Sequence, residues 1–321
     1  MDLSNMKTFN SYLKAFTIET IDQMVEKFNT ASGGAIVLTT QGVDGDFLQE
    51  SFWQSLHSAR RRVDRYAANA PATPTEMTQG ELNSVKVAGA FGPVAFEPGW
   101  LTWMQQDPEL AVEMASRNMA EVIVQDQLNT GLLAAVAAIT NQGAGLNVAM
   151  AGTDATHGDL NNAHALFGDH SGAIVADVMD GTSYHSIIGQ NLANSENLYQ
   201  SDGVLVVDIL GKIVVVTDAP ALRVAGTGID TSVLGLAAGG IVISDGGDLV
   251  TNIETTNGQT RIETTLQADY SFVTGLKGYA WDIANGGKSP DDAAIGLGTN
   301  WDLAATSNKH TAGVRTYYTN P

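Results

Sequence analysis

Four of the chain's six histidines, His157, His164, His170 and His185, fall in one stretch beside Asp159, Asp169 and Asp177. Imidazoles and carboxylates together can hold a transition metal or move protons, so any chemistry should be sought here first. The spacing argues against it. His164 and His170 are separated by a predicted turn, and no HExxH or His-x-His pair sets two ligands on one face. Loop and cap roles suit these side chains better, and a soluble metal-dependent enzyme built on them stands as a rival reading.

Other chemistries fail on residue type. The chain has no Cys, which removes thiol nucleophiles, disulfides and most structural zinc sites. AGTGID at 225–230 carries only the first two glycines of a GxGxxG fingerprint, and neither GxxxxGK[ST] nor a G-x-S-x-G elbow occurs. Asp291-Asp292 follows Ser-Pro and suits helix capping. No catalytic, cofactor-binding or metal-ligating residue is assigned, and no cofactor is expected.

Composition sets the wider limits. With 321 residues and 44% hydrophobic content, the chain can build a substantial core. Its 35 acidic and 16 basic residues give a formal charge of -19, so nothing global attracts nucleic acid. MDLSNMKTFNSYLK has no apolar signal core, and the strictly apolar run Leu132 to Ile139 is too short for a bilayer span, so a soluble chain with no membrane partner is expected.

The elements that would position any site centre on residues 107–142. Glu113, Arg117, Glu121, Gln125 and Asn129 recur every four residues, opposite Ala120, Val124, Leu128, Leu132, Val136 and Ile139. With Asp107 as N-cap and Pro108 as first helical residue, this predicts a helix roughly 54 Å long, a spine shared between lobes unless Gly131 bends or ends it. Upstream, Leu13, Phe16, Ile21, Met24 and Phe28 predict an amphipathic helix over 8–28, stopped at Gly33-Gly34 and followed by a strand from Ala35 to Leu38.

Half of the eight arginines, Arg60, Arg61, Arg62 and Arg65, lie close together after Phe52, Trp53 and Leu56. In an acidic molecule they form one electropositive spot, either a docking patch or a solvated helix face paired to Asp64 or Glu50. Residues 68–100, with Pro71, Pro74, Pro93 and Pro98, predict an arm extending from the body, with strands Ser84–Ala88 and Val94–Phe96 separated by a turn at GAFGP.

Beyond the spine, small residues from Gly143 to Gly158 predict a loop. A helix from Asp159 to Phe167, a Gly168-Asp169 turn, a strand from Ala173 to Met179 and a helix capped by Ser183 then predict a compact α/β lobe. Strands are expected at Gly203–Ile209 and Lys212–Thr217, both central to a sheet, and at Gly240–Ser244. Asn257-Gly258 predicts a hairpin between 252–256 and 259–264, and strand character resumes from Tyr270 to Trp281. The C-terminal segment, with Trp301, Arg315 and Tyr317, should return to the body, and no internal repeat is apparent.

Two segments carry a family resemblance. LNNAHALFGDHSGAIVADVMDGTSYHSII (160–188) is similar to the helix, turn and Met-containing strand of the major capsid proteins of tailed bacteriophages with the HK97-type fold. DGVLVVDILGKIVVVTDAPAL (202–222) is similar to their G-x-x-V-x-x-x-D-x-x-P segment, with Gly211, Val214, Asp218 and Pro220 in place. Phe167 stands where Leu is more usual, and Asp180 where those coats often have His.

The resemblance implies an α+β, HK97-like capsid fold. Its parts would be an N-terminal arm (1–45), an extended loop (46–104), a spine helix in a peripheral domain (105–142), an axial α/β domain (143–270), and returning strands with a tail (271–321). It further implies a structural subunit and not an enzyme. Such subunits form hexamers and pentamers of an icosahedral shell enclosing double-stranded DNA, in a virion assembled in the host cytoplasm. Scaffolding, portal and decoration proteins are possible partners, and DNA contact should be weak or non-specific. Arg60, Arg61, Arg62, Arg65 and Lys86, the one lysine of the extended loop, are the candidate inter-subunit contacts. Within the same fold, an encapsulin-like nanocompartment is the alternative.

Overall fold

The computed structural model describes residues 3–40, 45–53, 60–68, 71–74, 76, 79–97, 99, 108–193, 211–225, 229–256 and 263–319. It opens with helix α1 (Leu3–Ala31), whose Leu13, Ile21 and Val25 are buried while Phe16 faces outward beside Tyr12. The expected position of Phe16 is taken by Thr17, whose hydroxyl is satisfied within the helix by the Leu13 carbonyl at 2.7 Å. Gly33 and Gly34, both at positive φ, end α1 and turn the chain into β1 (Ile36–Thr39).

Helix α2 (Pro108–Thr140) runs unbroken for 33 residues, or about 50 Å. Pro108 is its first residue, as predicted, while Asp107 lies outside the described residues. Gly131 does not bend it. A Cβ there would sit 2.8 Å from Ile243 Cδ1 and 3.0 Å from Ile241 Cγ2, so the glycine lets the helix approach the sheet closely. By length and hydropathy α2 resembles a membrane span, yet 61% of its most apolar window is buried against protein. Ala120, Val124, Leu132 and Ile139 form the buried stripe, and Glu113, Arg117, Glu121 and Gln125 the exposed one.

α2 lies between two sheets. The first has the order β1-β9-β11-β3-β2, where β2 is Phe47–Trp53, β3 Gln79–Phe96, β9 Ile241–Asp245 and β11 Glu263–Leu276; β10 (Val250–Thr256) also pairs with β11. The two strands expected at 84–96 are one. β3 continues through GAFGP because a bulge opposite Leu266 and Ala268 absorbs the extra residue, and Gly92 supplies the positive φ. β3 from Val85 to Phe96 therefore pairs with β11 in the first sheet, with Val85 and Val87 buried, and this part is not a free arm. What continues past β11 is the two-stranded ribbon of β2 with Gln79–Val85. The hairpin of β10 with β11 forms as predicted, its Asn257-Gly258 lying outside the described residues.

The second sheet has the order β4-β14-β8-β5-β6, with β7 on β8; the strands are β4 (Asn147–Ala149), β5 (Ile174–Met179), β6 (Ile213–Val216), β7 (Arg223–Ala225), β8 (Ile229–Ala237) and β14 (Gly313–Tyr318). Helices α3 (His157–Ala165) and α4 (Gly181–Ala193) flank β5 in sequence. Residues 143–158, expected as loop, include β4, because β14 offers it a parallel edge. β6 ends the strand order among the described residues, with Ile213 and Val216 exposed; Gly203–Ile209, the strand expected with it, lies outside them. A capping box of Thr156 and Asp159 starts α3 two residues earlier than predicted. Asp180, not Ser183, supports the start of α4: its Oδ1 accepts from the Ser183 amide.

Between β8 and β9 the chain crosses sheets in a tight turn held by the Gly239 amide donating to the Gly34 carbonyl at 2.7 Å. One continuous apolar core joins Phe272 and Val85 of the first sheet, Leu132 and Ile139 of α2, and Val178, Leu236 and Val314 of the second. β12 (Tyr279–Trp281) and β13 (Trp301–Leu303) pair apart from both sheets, with Trp281 and Trp301 edge to face at 4.9 Å. Short helices α5 (Ile283–Gly286) and α6 (Asp292–Ile295) lie between them in sequence.

Candidate functional site

The histidines do not converge. His164 on α3 and Asp177 on β5 form a buried pair, Nε2 to Oδ1 at 2.8 Å. Gly235 of β8 closes this site: a Cβ there would lie 3.1 Å from His164 Nε2 and 3.2 Å from Asp177 Oδ1. His170 instead meets His310 edge-on at 5.6 Å, His185 lies beside Tyr184, and His157 is the first residue of α3. Asp169 is ion-paired to Lys309, whose hydrogen bond and charge hold its carboxyl below the usual range. Among the described residues no three His, Asp or Glu side chains could hold a metal ion. The geometry gives these residues a fastening role.

A second fastening was invisible in the sequence. Arg223 Nη1 donates to Asp154 at 3.1 Å and to the buried Asp180 at 3.0 Å, and these carboxylates outweigh burial to raise its pKa. Asp218 accepts from the Gly181 amide at 3.0 Å. The family resemblance singles out Asp180 and Asp218, which the sequence by itself places in turns, and tertiary contact supplies the physical reason. Arg315, buried in β14, donates to Thr140 Oγ1 at 2.7 Å and to Ser232 Oγ, tying the end of α2 to the second sheet.

The arginines sit differently. Arg60, Arg61, Arg62 and Arg65 are exposed on an irregular segment, and none forms an ion pair among the described residues. The solvated helix face is not found. Asp64 uses Oδ1 to accept from the Tyr66 amide at 2.9 Å, a local turn that leaves Tyr66 99% and Val63 68% exposed. Lys86 is engaged within its own chain, 3.2 Å from Asp248. Burial pushes the Asp248 carboxyl up, but hydrogen bonds from Ser271 and Lys86 outweigh it and hold the group below the usual carboxylate range.

Against α2 lies a groove of about 240 Å³, lined by Leu133, Val136 and Ala137 and by the segment Gly296–Thr299. Two carboxylates lie near it: Asp292, whose backbone carbonyl accepts from the Gly296 amide of the groove wall at 2.9 Å, and Asp126, close enough to Asp292 for their charges to repel. Asp126 Oδ2 accepts from the Tyr270 hydroxyl at 2.7 Å. Burial raises the Asp126 carboxyl, the Tyr270 hydrogen bond opposes this, and the charge of Asp292 adds to the rise. On α2 Asp126 and Leu133 stand two turns apart on one face, but nothing in the sequence brought residues 292–299 to them.

No curated protein matches the chain. Among solved structures it is similar to the cyanophage Pam1 capsid asymmetric unit, with 10% identity and a TM-score of 0.52, covering 87% of this chain and 88% of that one. A chain of Mycobacterium phage Cain is similar at 12% identity and a TM-score of 0.52, again covering 87% and 88%. These likenesses agree with an HK97-like fold. The family model for major capsid protein 13-like (Gp13-like) proteins matches residues 5–315. Matched over nearly its whole length, the chain is a structural protein of a virion capsid and belongs to the major capsid protein 13-like family.

Proposed function

We propose that the chain forms hexamers and pentamers of an icosahedral shell around double-stranded DNA, assembled in the host cytoplasm with scaffolding, portal and decoration proteins as candidate partners. The observation that carries this reading is the ribbon of β2 with the start of β3. A two-stranded hairpin is at best marginally stable alone, and this one leads in sequence to a segment bearing four exposed arginines that form no ion pair among the described residues. Such a projection gains its missing contacts from another copy. Lys86, turned to Asp248, stabilises the root of the ribbon and has no cross-linking role in this reading.

In domain terms, the first sheet with α2 is the peripheral domain, α1 with β1 the arm, the ribbon the extended loop, and the second sheet the axial domain. β9 to β11, inside the span first given to the axial domain, go with the peripheral one, and β14 with the axial one. The acidic balance suits a container whose wall lets packaged DNA slide, since few cations are offered for counterion release.

Negative-stain microscopy of the purified chain tests the proposal, with closed particles expected. Replacing Arg60, Arg61, Arg62 and Arg65 by Glu should leave the circular dichroism unchanged and abolish particles. Normal assembly of that variant would overturn the role of the patch, and a monomer under all assembly conditions would overturn the shell.

A further inference from the structure

We infer that the groove beside α2 receives Tyr66 from a second copy of this chain, with the flanking arginines against the nearby carboxylates of Asp126, Asp291 and Asp292. The inference rests on the shell reading above and names the seat of its projecting segment. Size is the first argument. At about 240 Å³ the groove falls below the usual range for small-molecule sites, roughly 300–1,000 Å³, but suits one large side chain. Tyr66 is such a side chain, and at 99% exposure its ring is left uncovered among the described residues of its own subunit. A ring with a polar tip can fill an apolar slot while keeping its hydroxyl hydrogen-bonded.

Charge is the second argument. Asp291 and Asp292 are exposed at the start of α6, and the Asp292 backbone carbonyl accepts from the Gly296 amide in the groove wall at 2.9 Å, so the short helix that carries both carboxylates adjoins the slot. Lys288, three residues before Asp291, is turned away to Asp46 at 3.0 Å. Burial raises the Asp126 carboxyl, and repulsion from Asp292 adds to the rise. Guanidinium groups would relieve that repulsion, and bidentate pairing to carboxylates favours arginine. Tyr66 stands next to Arg65, so one short segment delivers both the ring and the charge.

The absence of Cys makes the test direct. Ala67→Cys, beside the ring, is combined with Thr299→Cys at the rim of the groove, in the full chain assembled into particles and then oxidised. A ladder of disulfide-linked multimers is expected on a non-reducing gel, at a yield about tenfold above a control pairing Ala67→Cys with Glu254→Cys on exposed β10, because docking raises the effective concentration. Adding Tyr66→Ala should return the yield to the control level. Particles that show no ladder, or the same ladder in the control, overturn the seat while leaving the shell intact. Failure of the parent chain to form particles overturns both. If particles lack the ladder and the four Arg→Glu changes release packaged DNA instead, the segment faces nucleic acid and the inference is wrong.

Discussion

The His164–Asp177 pair shows how a promising constellation becomes a fastener. Its two groups are buried, Asp177 Oδ2 has no hydrogen-bond partner among the described residues, and the Gly235 backbone packs so closely that a Cβ would lie 3.1 Å and 3.2 Å from the paired atoms. Truncating one partner of a buried hydrogen bond leaves the other unsatisfied, so His164→Ala should cost about 1–3 kcal/mol in denaturant unfolding. Gly235→Ala presses a methyl group onto both side chains and should cost a similar amount, about 1–3 kcal/mol. Acidic residues give a further test. Asp126 has a folded pKa above its unfolded value, so the stability linked to it is present in acid and is lost as pH rises through the folded value. Asp248 runs the other way: its stability is present above the unfolded value and lost as pH falls through the depressed folded one. Asp126→Asn, which keeps an acceptor for Tyr270, should therefore raise the melting temperature at neutral pH and flatten its acid-side dependence, whereas Asp248→Asn should lower it.

Among the elements, α2 and β3 depart most from local expectation. Propensity treats Gly131 as a weak point, but the close packing of α2 on β9 makes it a contact residue. Gly131→Leu should drive Ile241 and Ile243 off their positions and cost about 1–3 kcal/mol, read as a lower denaturant midpoint. β3 crosses a Gly-Pro step that looks like a turn. Its partner β11 decides otherwise, because pairing on both sides of the bulge outweighs the local preference for a break. The same pairing ends at Val85, and so fixes where the core sheet stops and the ribbon starts.

For the whole molecule, a formal charge of -19 means that copies repel at long range and associate only where opposite charge is gathered. Particle formation by the wild type should then depend on ionic strength. Moderate salt should help by screening the general repulsion, and high salt should hinder by screening the arginine contacts, giving an optimum in light scattering. The variant with all four arginines changed to Glu should show no such optimum, scattering no more than the unassembled chain at every salt concentration.

The sequence by itself determined the elements whose signal is periodic and local: α1, α2, the hairpin of β10 with β11, and the alternation of strand and helix around β5. It also fixed the exclusions that follow from residue type, above all the lack of Cys, and the segregation of half the arginines into one segment. Tertiary structure alone decided which polar residues meet. His164 finds Asp177, Arg223 finds Asp154 and Asp180, Lys86 finds Asp248, and Asp126 finds Asp292. The physical reason is range: helix and hairpin patterns act over a few residues, whereas these pairs are brought together only once two sheets have closed around one long helix.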